Sequence, residues 1–144
     1  MRRAREFPLE DWIFRSEYER KQAQRLLDND VFFLYEHQTL DFLEGLSFGV
    51  CMDCGGKNVG KLRKYTPDFY IPATKIFIET KGKFDSRTRT KMKNVCSQCE
   101  EDIRMVFMAN NWLTRKHKMT YGRWCKLNGI EYAIGNIPLE WCHN

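Results

Sequence analysis

Apolar and polar positions change period along this chain, and each change marks an element. From Ser16 to Asp28 (SEYERKQAQRLLD) the spacing is helical and puts Glu19, Ala23 and Leu26 on one inward stripe. Ser16 is a suitable N-cap, Glu19 three residues on completes a capping-box pattern, and Asp28-Asn29-Asp30 ends the helix. Val31 to Leu43 opens with β-branched and aromatic residues and reads as a strand. Glu44 to Lys64 is glycine-rich and reads as a loop, whereas Tyr65–Ile71 and Lys75–Lys81 read as two strands joined around Pro72-Ala73 in a hairpin. A helix over Arg87–Cys99 and a short buried strand over Asp102–Met108 follow. TYGRWCKL is then a helix that Asn128-Gly129 stops, with a last short strand after it. Residues 1–13 read as a loose basic arm. This order of elements predicts an α/β fold with a small mixed sheet flanked by helices.

Composition adds boundaries. At 144 residues, 42% hydrophobic and 14% aromatic, the chain suits a single globular domain spanning 1–144, with 44–64 inserted in it. No apolar run approaches the ~20 residues of a membrane span, and the basic N-terminus lacks the apolar stretch of a secretory signal. The expected location is cytoplasmic, where the six cysteines are reduced thiols or metal ligands. The net charge of +5 is modest, but its distribution is uneven. Basic residues concentrate at Arg2, Arg3 and Arg5, between Lys81 and Lys93, and in Arg115-Lys116-His117-Lys118. Such clusters suit a polyanion such as nucleic acid, or are solvated faces.

The chemistry centres on YTPDFYIPATKIFIETKG, residues 65–82. Strand alternation puts Ile76, Ile78 and Thr80 on one face of the second strand and Phe77, Glu79 and Lys81 on the other. If the two strands pair, Asp68 faces the same site. Two carboxylates and an ammonium at a sheet edge can bind Mg²⁺, whose hard oxygen ligands and retained waters suit hydrolysis. The lysine then orients or helps deprotonate a water, or stabilises charge on a phosphate. A cross-strand salt bridge explains the same charges without any reaction, and spacing alone leaves both readings open.

Pro67-Asp68 followed after ten residues by Glu79-Thr80-Lys81 matches the PD…(D/E)xK signature of metal-dependent nucleases. More specifically, YTPDF, IFIETKG, DIRMVF, TYGRWCKLNGIEYA and IPLEW resemble, in order and spacing, the phage T7-type endonuclease I family of Holliday junction resolvases. The resemblance runs from about Phe14 to Trp141. It implies a restriction-endonuclease-like core and a catalytic set of Glu19, Asp68, Glu79 and Lys81, with Glu19 following Phe14-Arg15-Ser16 on the opening helix. Mg²⁺ or Mn²⁺ is then held by Asp68, Glu79 and the Thr80 carbonyl, with Glu19 assisting a second ion. The implied reaction is phosphodiester hydrolysis of four-way and other branched DNA by a metal-activated water. The resemblance further implies a phage-encoded, intertwined homodimer in which each site takes its Glu19 from the other chain. Branch recognition implies contacts with phosphates; Arg15, Lys83, Arg87, Arg89, Lys91, Arg115, Lys116 and Lys118 are the candidates. Another nuclease on the same core, or a non-catalytic zinc-stabilised DNA-binding module, is the competing reading.

Two cysteine pairs stand outside the family pattern. Cys51-x-x-Cys54, followed by Gly55-Gly56, and Cys96-x-x-Cys99 have the spacing of two zinc knuckles and predict one structural Zn²⁺. Buried free thiols are the alternative. Cys125, Trp124 and Trp141 read as core, and no histidine (His37, His117, His143) is assigned a catalytic role.

Overall fold

The computed structural model of the chain describes residues 7–9, 12–45 and 60–144. Its elements, in chain order, are β1 (Phe7–Leu9), β2 (Trp12–Phe14), α1 (Glu17–Asp28), β3 (Leu34–Tyr35), β4 (Leu40–Glu44), β5 (Lys61–Tyr65) and β6 (Phe69–Ile71). They continue as β7 (Ile76–Lys81), α2 (Ser86–Gln98), β8 (Asp102–Phe107), α3 (Tyr121–Leu127), β9 (Tyr132–Ile134) and a 3₁₀ turn at Leu139–Trp141.

The mixed sheet expected from the element order is present, with five strands in the order β3-β6-β7-β8-β9. β3, β6 and β7 are antiparallel neighbours, because β6 and β7 are joined by a turn short enough for a hairpin. The left-handed Lys75 (φ 57) closes that turn, its N–H donating to the Ile71 carbonyl at 2.8 Å. β7, β8 and β9 run parallel, and the crossovers between them are α2 and α3. Each helix starts on a side-chain cap: Ser16, Asp85 and Thr120 accept from the backbone N–H three residues on.

Alternation in the central strands divides the core into two layers. On one face, Phe69, Ile71, Ile76, Ile78 and Val106 pack with Ala23 and Leu26 of α1. On the other, Phe77, Ile103, Met105 and Phe107 pack with Met92 and Val95 of α2 and Tyr121 and Cys125 of α3. Trp141 is buried and Trp124 half-buried, its ring 4.9 Å from that of Phe84. α1 is also tied to the segment after β9. Tyr18 donates to the Gly135 carbonyl at 2.8 Å, and the buried Gln22 accepts from Ile137 N–H at 2.8 Å.

Several expectations need correction. Residues 7–9 and 12–14 pair as a hairpin instead of forming a loose arm. Val31–Leu43 is not one strand, since Glu36 turns left-handed (φ 47) after β3 and the chain resumes only at β4. Glu44 and Lys61–Lys64, expected within a loop, belong to the antiparallel β4–β5 pair. Tyr65 ends β5 and Pro67-Asp68 separates it from β6, so the apolar run 65–71 is two elements. Cys51 and Cys54, with their glycines, lie outside the described residues.

Candidate active site

The charged strand pair folds as alternation predicted. In the β6–β7 register Phe69 stands opposite Ile78, which brings Asp68, just before β6, alongside Glu79 and Thr80. Asp68 Oδ2 accepts from both the Thr80 N–H and its hydroxyl, each at 2.8 Å. Glu79 Oε2 accepts from the Tyr65 hydroxyl at 2.7 Å, while Glu79 Oε1 lies 3.3 Å from Lys81 Nζ. Asp68 and Glu79 are 7% and 4% exposed, against the general rule that carboxylates stay in water.

Glu19 arrives on α1. Its backbone N–H donates to the Ser16 hydroxyl at 3.1 Å, so half of the capping box is made. Its carboxylate does not return to the cap. Glu19 Oε2 accepts from the Tyr35 hydroxyl instead, and the side chain is buried. From there its charge acts on Asp68 and Lys81. Within the single chain described, α1 packs on the sheet and brings Glu19 within electrostatic reach of Asp68 and Lys81.

A single pattern recurs at the three carboxylates. Each has one oxygen fixed by a neutral donor: Tyr35 for Glu19, Thr80 for Asp68 and Tyr65 for Glu79. Among the described residues, the second oxygens of Glu19 and Asp68 accept no hydrogen bond. None of the described buried side-chain polar atoms lacks a partner, so these oxygens open to solvent. Neither tyrosine could be singled out from sequence, since Tyr35 sits in an apolar stretch where a core ring is expected and Tyr65 follows the basic run Lys61–Lys64.

The electrostatics show what the site lacks. Burial, reinforced by the charges of Glu79 and Glu19, pushes the Asp68 carboxyl well above its ordinary range, despite the two hydrogen bonds from Thr80. Burial likewise raises Glu79, against the pull of Lys81, the Tyr65 hydroxyl and Lys91. Lys81 is drawn down by burial, but Glu79, Asp68 and Glu19 outweigh it and its pKa is raised. A buried pair of carboxylates whose pKa values stay raised despite Lys81 and Lys91 is short of positive charge. Among the described residues no three His, Cys, Asp or Glu side chains converge as a ready metal cage. Two carboxylates are a donor set that suits Mg²⁺, which binds through few protein ligands and keeps several waters.

The expected DNA contacts divide into two groups. Lys83, Arg87, Arg115, Lys116 and Lys118 are exposed. Arg15 pairs with Glu36 at 2.9 Å, and Arg89 donates to the Phe84 carbonyl at 2.6 Å. Lys91 lies 5.2 Å over the Tyr65 ring, behind Glu79. Between α2 and the β4–β5 pair, a cavity of about 190 Å³ is lined by Arg87, Lys91, Arg63 and Lys64 among others. Arg63 and Lys64 were hidden in a segment read as a loop. Cys96 and Cys99 lie at the end of α2, where burial pushes the Cys96 thiol up to about 12.

A mixed sheet thus carries Pro67-Asp68 and Glu79-Thr80-Lys81 at one end, with acidic charge clustered against a lysine. The profile of the phage endonuclease I family matches residues 4–144, and the chain belongs to that family. Endonuclease I of Escherichia phage T7 is 34% identical over 130 residues, which cover 89% of this chain and 77% of that protein. Endodeoxyribonuclease 1 of Enterobacteria phage T3 is 46% identical over 77 residues, covering 52% of this chain and 50% of its own length.

Proposed function

We propose that this chain is a Mg²⁺-dependent DNA endonuclease that cuts branched DNA, four-way junctions above all. The observation that carries the chemistry is the buried Asp68–Glu79 pair, each with one oxygen fixed by a neutral donor and the pair deficient in positive charge. Asp68, Glu79 and the Thr80 carbonyl would hold the ion, with Glu19 assisting a second one. Bound there, Mg²⁺ supplies Lewis acidity and a water acidic enough to attack a phosphodiester. Thr80 and Tyr65 keep the two carboxylates from rotating away, as outer hydrogen bonds commonly do around ligands. Lys81 steers a proton or offsets charge at the reacting phosphate. Arg87, Lys83 and the 115–118 cluster hold flanking phosphates without reading sequence.

The test compares a four-way junction with a linear duplex of the same sequence, in Mg²⁺ and in EDTA. Metal-dependent cutting confined to the junction is expected. Equal cutting of the duplex would point to another nuclease on this core, and binding without cutting to a DNA-binding module.

Two further assignments accompany this reading. The first is a homodimer that exchanges residues 7–44, so that each site takes Glu19 from its partner. Supporting it, that segment meets the rest of the chain through β3–β6, β4–β5 and α1 with residues 135–137, contacts that a second copy can make equally well. Mixing refolded Glu19→Ala and Glu79→Ala chains restores cleavage in an exchanged dimer, because one intact site forms; unexchanged chains stay inactive. The second is structural zinc at Cys51, Cys54, Cys96 and Cys99. Gln98 bonds Leu43 N–H and C=O at 2.6 and 2.8 Å, anchoring the end of α2 to the strand that leads toward Cys51. Metal analysis is expected to find about one zinc per chain; less than half would exclude it.

A further inference from the structure

The segment between β8 and α3, Ala109–Thr120, contains no acidic residue and carries Arg115, Lys116 and Lys118. Its flanking residues are tied to the end of β7 and to the stretch just after it. Met108 N–H donates to the Lys81 carbonyl at 3.1 Å, and the Tyr121 hydroxyl accepts from Phe84 N–H at 3.3 Å. The segment is also ordered within itself. Trp112 bridges to Thr120, Leu113 N–H donates to the Met119 carbonyl at 2.8 Å, and Asn110 Oδ1 accepts from Gly122 N–H at 2.9 Å. At its tip the chain turns left-handed at His117 (φ 50), which lays the imidazole on the Trp112 indole, centroids 5.3 Å apart and planes within 26°.

Trp112 is 49% exposed. A large aromatic side chain costs free energy in water, and here it is held by a rigid turn and backed by a second ring. Trp112 lies five residues beyond Phe107, the register partner of Lys81. Five residues span at most about 17 Å, or roughly five steps of a nucleic-acid strand at 3.4 Å each. A flat ring ringed by lysine and arginine, this close to the cut, matches the stacking platforms that receive unpaired bases.

We propose that Trp112, backed by His117, receives a DNA base unstacked at the branch point and so contributes to selection of branched over linear DNA. The assignment rests on the nuclease reading above. It gives the segment two separate duties: Arg115, Lys116 and Lys118 attract any DNA backbone, while Trp112 engages only DNA that offers an exposed base. An intact duplex keeps its bases stacked, and a branch point is where stacking is most easily broken.

The test uses full-length protein in a non-cutting Glu79→Gln background with Mg²⁺ present. Fluorescence anisotropy measures binding to a four-way junction, to the same junction with abasic nucleotides at the branch, and to a linear duplex. Trp112→Ala is expected to weaken junction binding about tenfold and leave duplex binding within about twofold. Trp112→Phe retains most of the affinity. Abasic nucleotides weaken the protein that keeps Trp112 by a similar factor and have no further effect on Trp112→Ala. Equal losses on junction and duplex would overturn the proposal, as would no loss at all. So would a fall in molecular mass of Trp112→Ala by sedimentation equilibrium, which would make the ring a contact between copies. If protein with Trp112 intact binds junction and duplex equally, it is the branch-selective reading that fails, and this proposal with it.

Discussion

Glu79→Gln is expected to reduce cleavage at least about 10³-fold while leaving DNA binding within about twofold, since metal activation is worth several kcal/mol of barrier and each tenfold is ~1.4. The amide retains the size of the carboxylate and can still accept from the Tyr65 hydroxyl, so the fold is undisturbed. What disappears is the negative charge that the proposed Mg²⁺ site would draw from Glu79. Lys81→Met is expected to lose as much rate and to do something further. Lys81 is the strongest of the influences that hold the Glu79 pKa down against burial. Removing it raises that pKa, so the residual activity requires a higher pH and the acidic limb of the pH–rate profile moves upward. Single-turnover cleavage across pH measures both effects. Wild-type rates in either variant would mean that the charged strand pair is the structural salt bridge that its spacing also allows.

Asp68→Asn is expected to abolish cleavage and at the same time stabilise the metal-free protein. The Asp68 pKa is raised well above its ordinary value, first by burial and then by Glu79 and Glu19. A carboxyl whose folded pKa exceeds its unfolded one binds more protons folded than unfolded in the interval between the two. Stability therefore falls as pH rises through that interval, from about 4 upward, and above the folded pKa the full cost is present. Asparagine carries no charge to bury, and its oxygen can still accept both Thr80 donors. In EDTA at neutral pH, Tm is expected to rise by on the order of 5 °C, with the gap closing as pH falls toward 4. Added Mg²⁺ should raise Tm in the wild type and leave the variant unchanged. A variant less stable than wild type at every pH would contradict this picture of the pair.

The parts of the molecule that sequence exposed are those governed by a short period or a cap. Ser16, Asn128 and the alternation through Ile76–Lys81 each follow local rules, and α1, α3 and the face shared by Glu79 and Lys81 came out accordingly. Membership of the endonuclease I family was also legible, because YTPDF and IFIETKG carry it in their own residues. Elements decided by distant partners were not legible. β5 is KLRKY, exposed along four of its five residues, and is a strand only because β4 lies beside it. β3 ends where Glu36 turns left-handed, with its N–H on the Asp68 carbonyl at 2.9 Å, a contact no local pattern announces. At the site, Glu19 satisfied two readings at once, its backbone serving the cap and its carboxylate turning to Tyr35. The donors that fix each carboxylate, Tyr35, Tyr65 and Thr80, depend on tertiary placement and surfaced only with the fold.

The central claim is that Asp68 and Glu79 together hold the catalytic ion. Its most direct test is anomalous diffraction from crystals of the wild-type protein soaked in Mn²⁺. The expected result is a manganese peak bounded by Asp68, Glu79 and the Thr80 carbonyl, absent from Asp68→Asn crystals treated alike. A wild-type site without manganese in crystals that remain competent to cut DNA, or a peak that persists in Asp68→Asn, would contradict it.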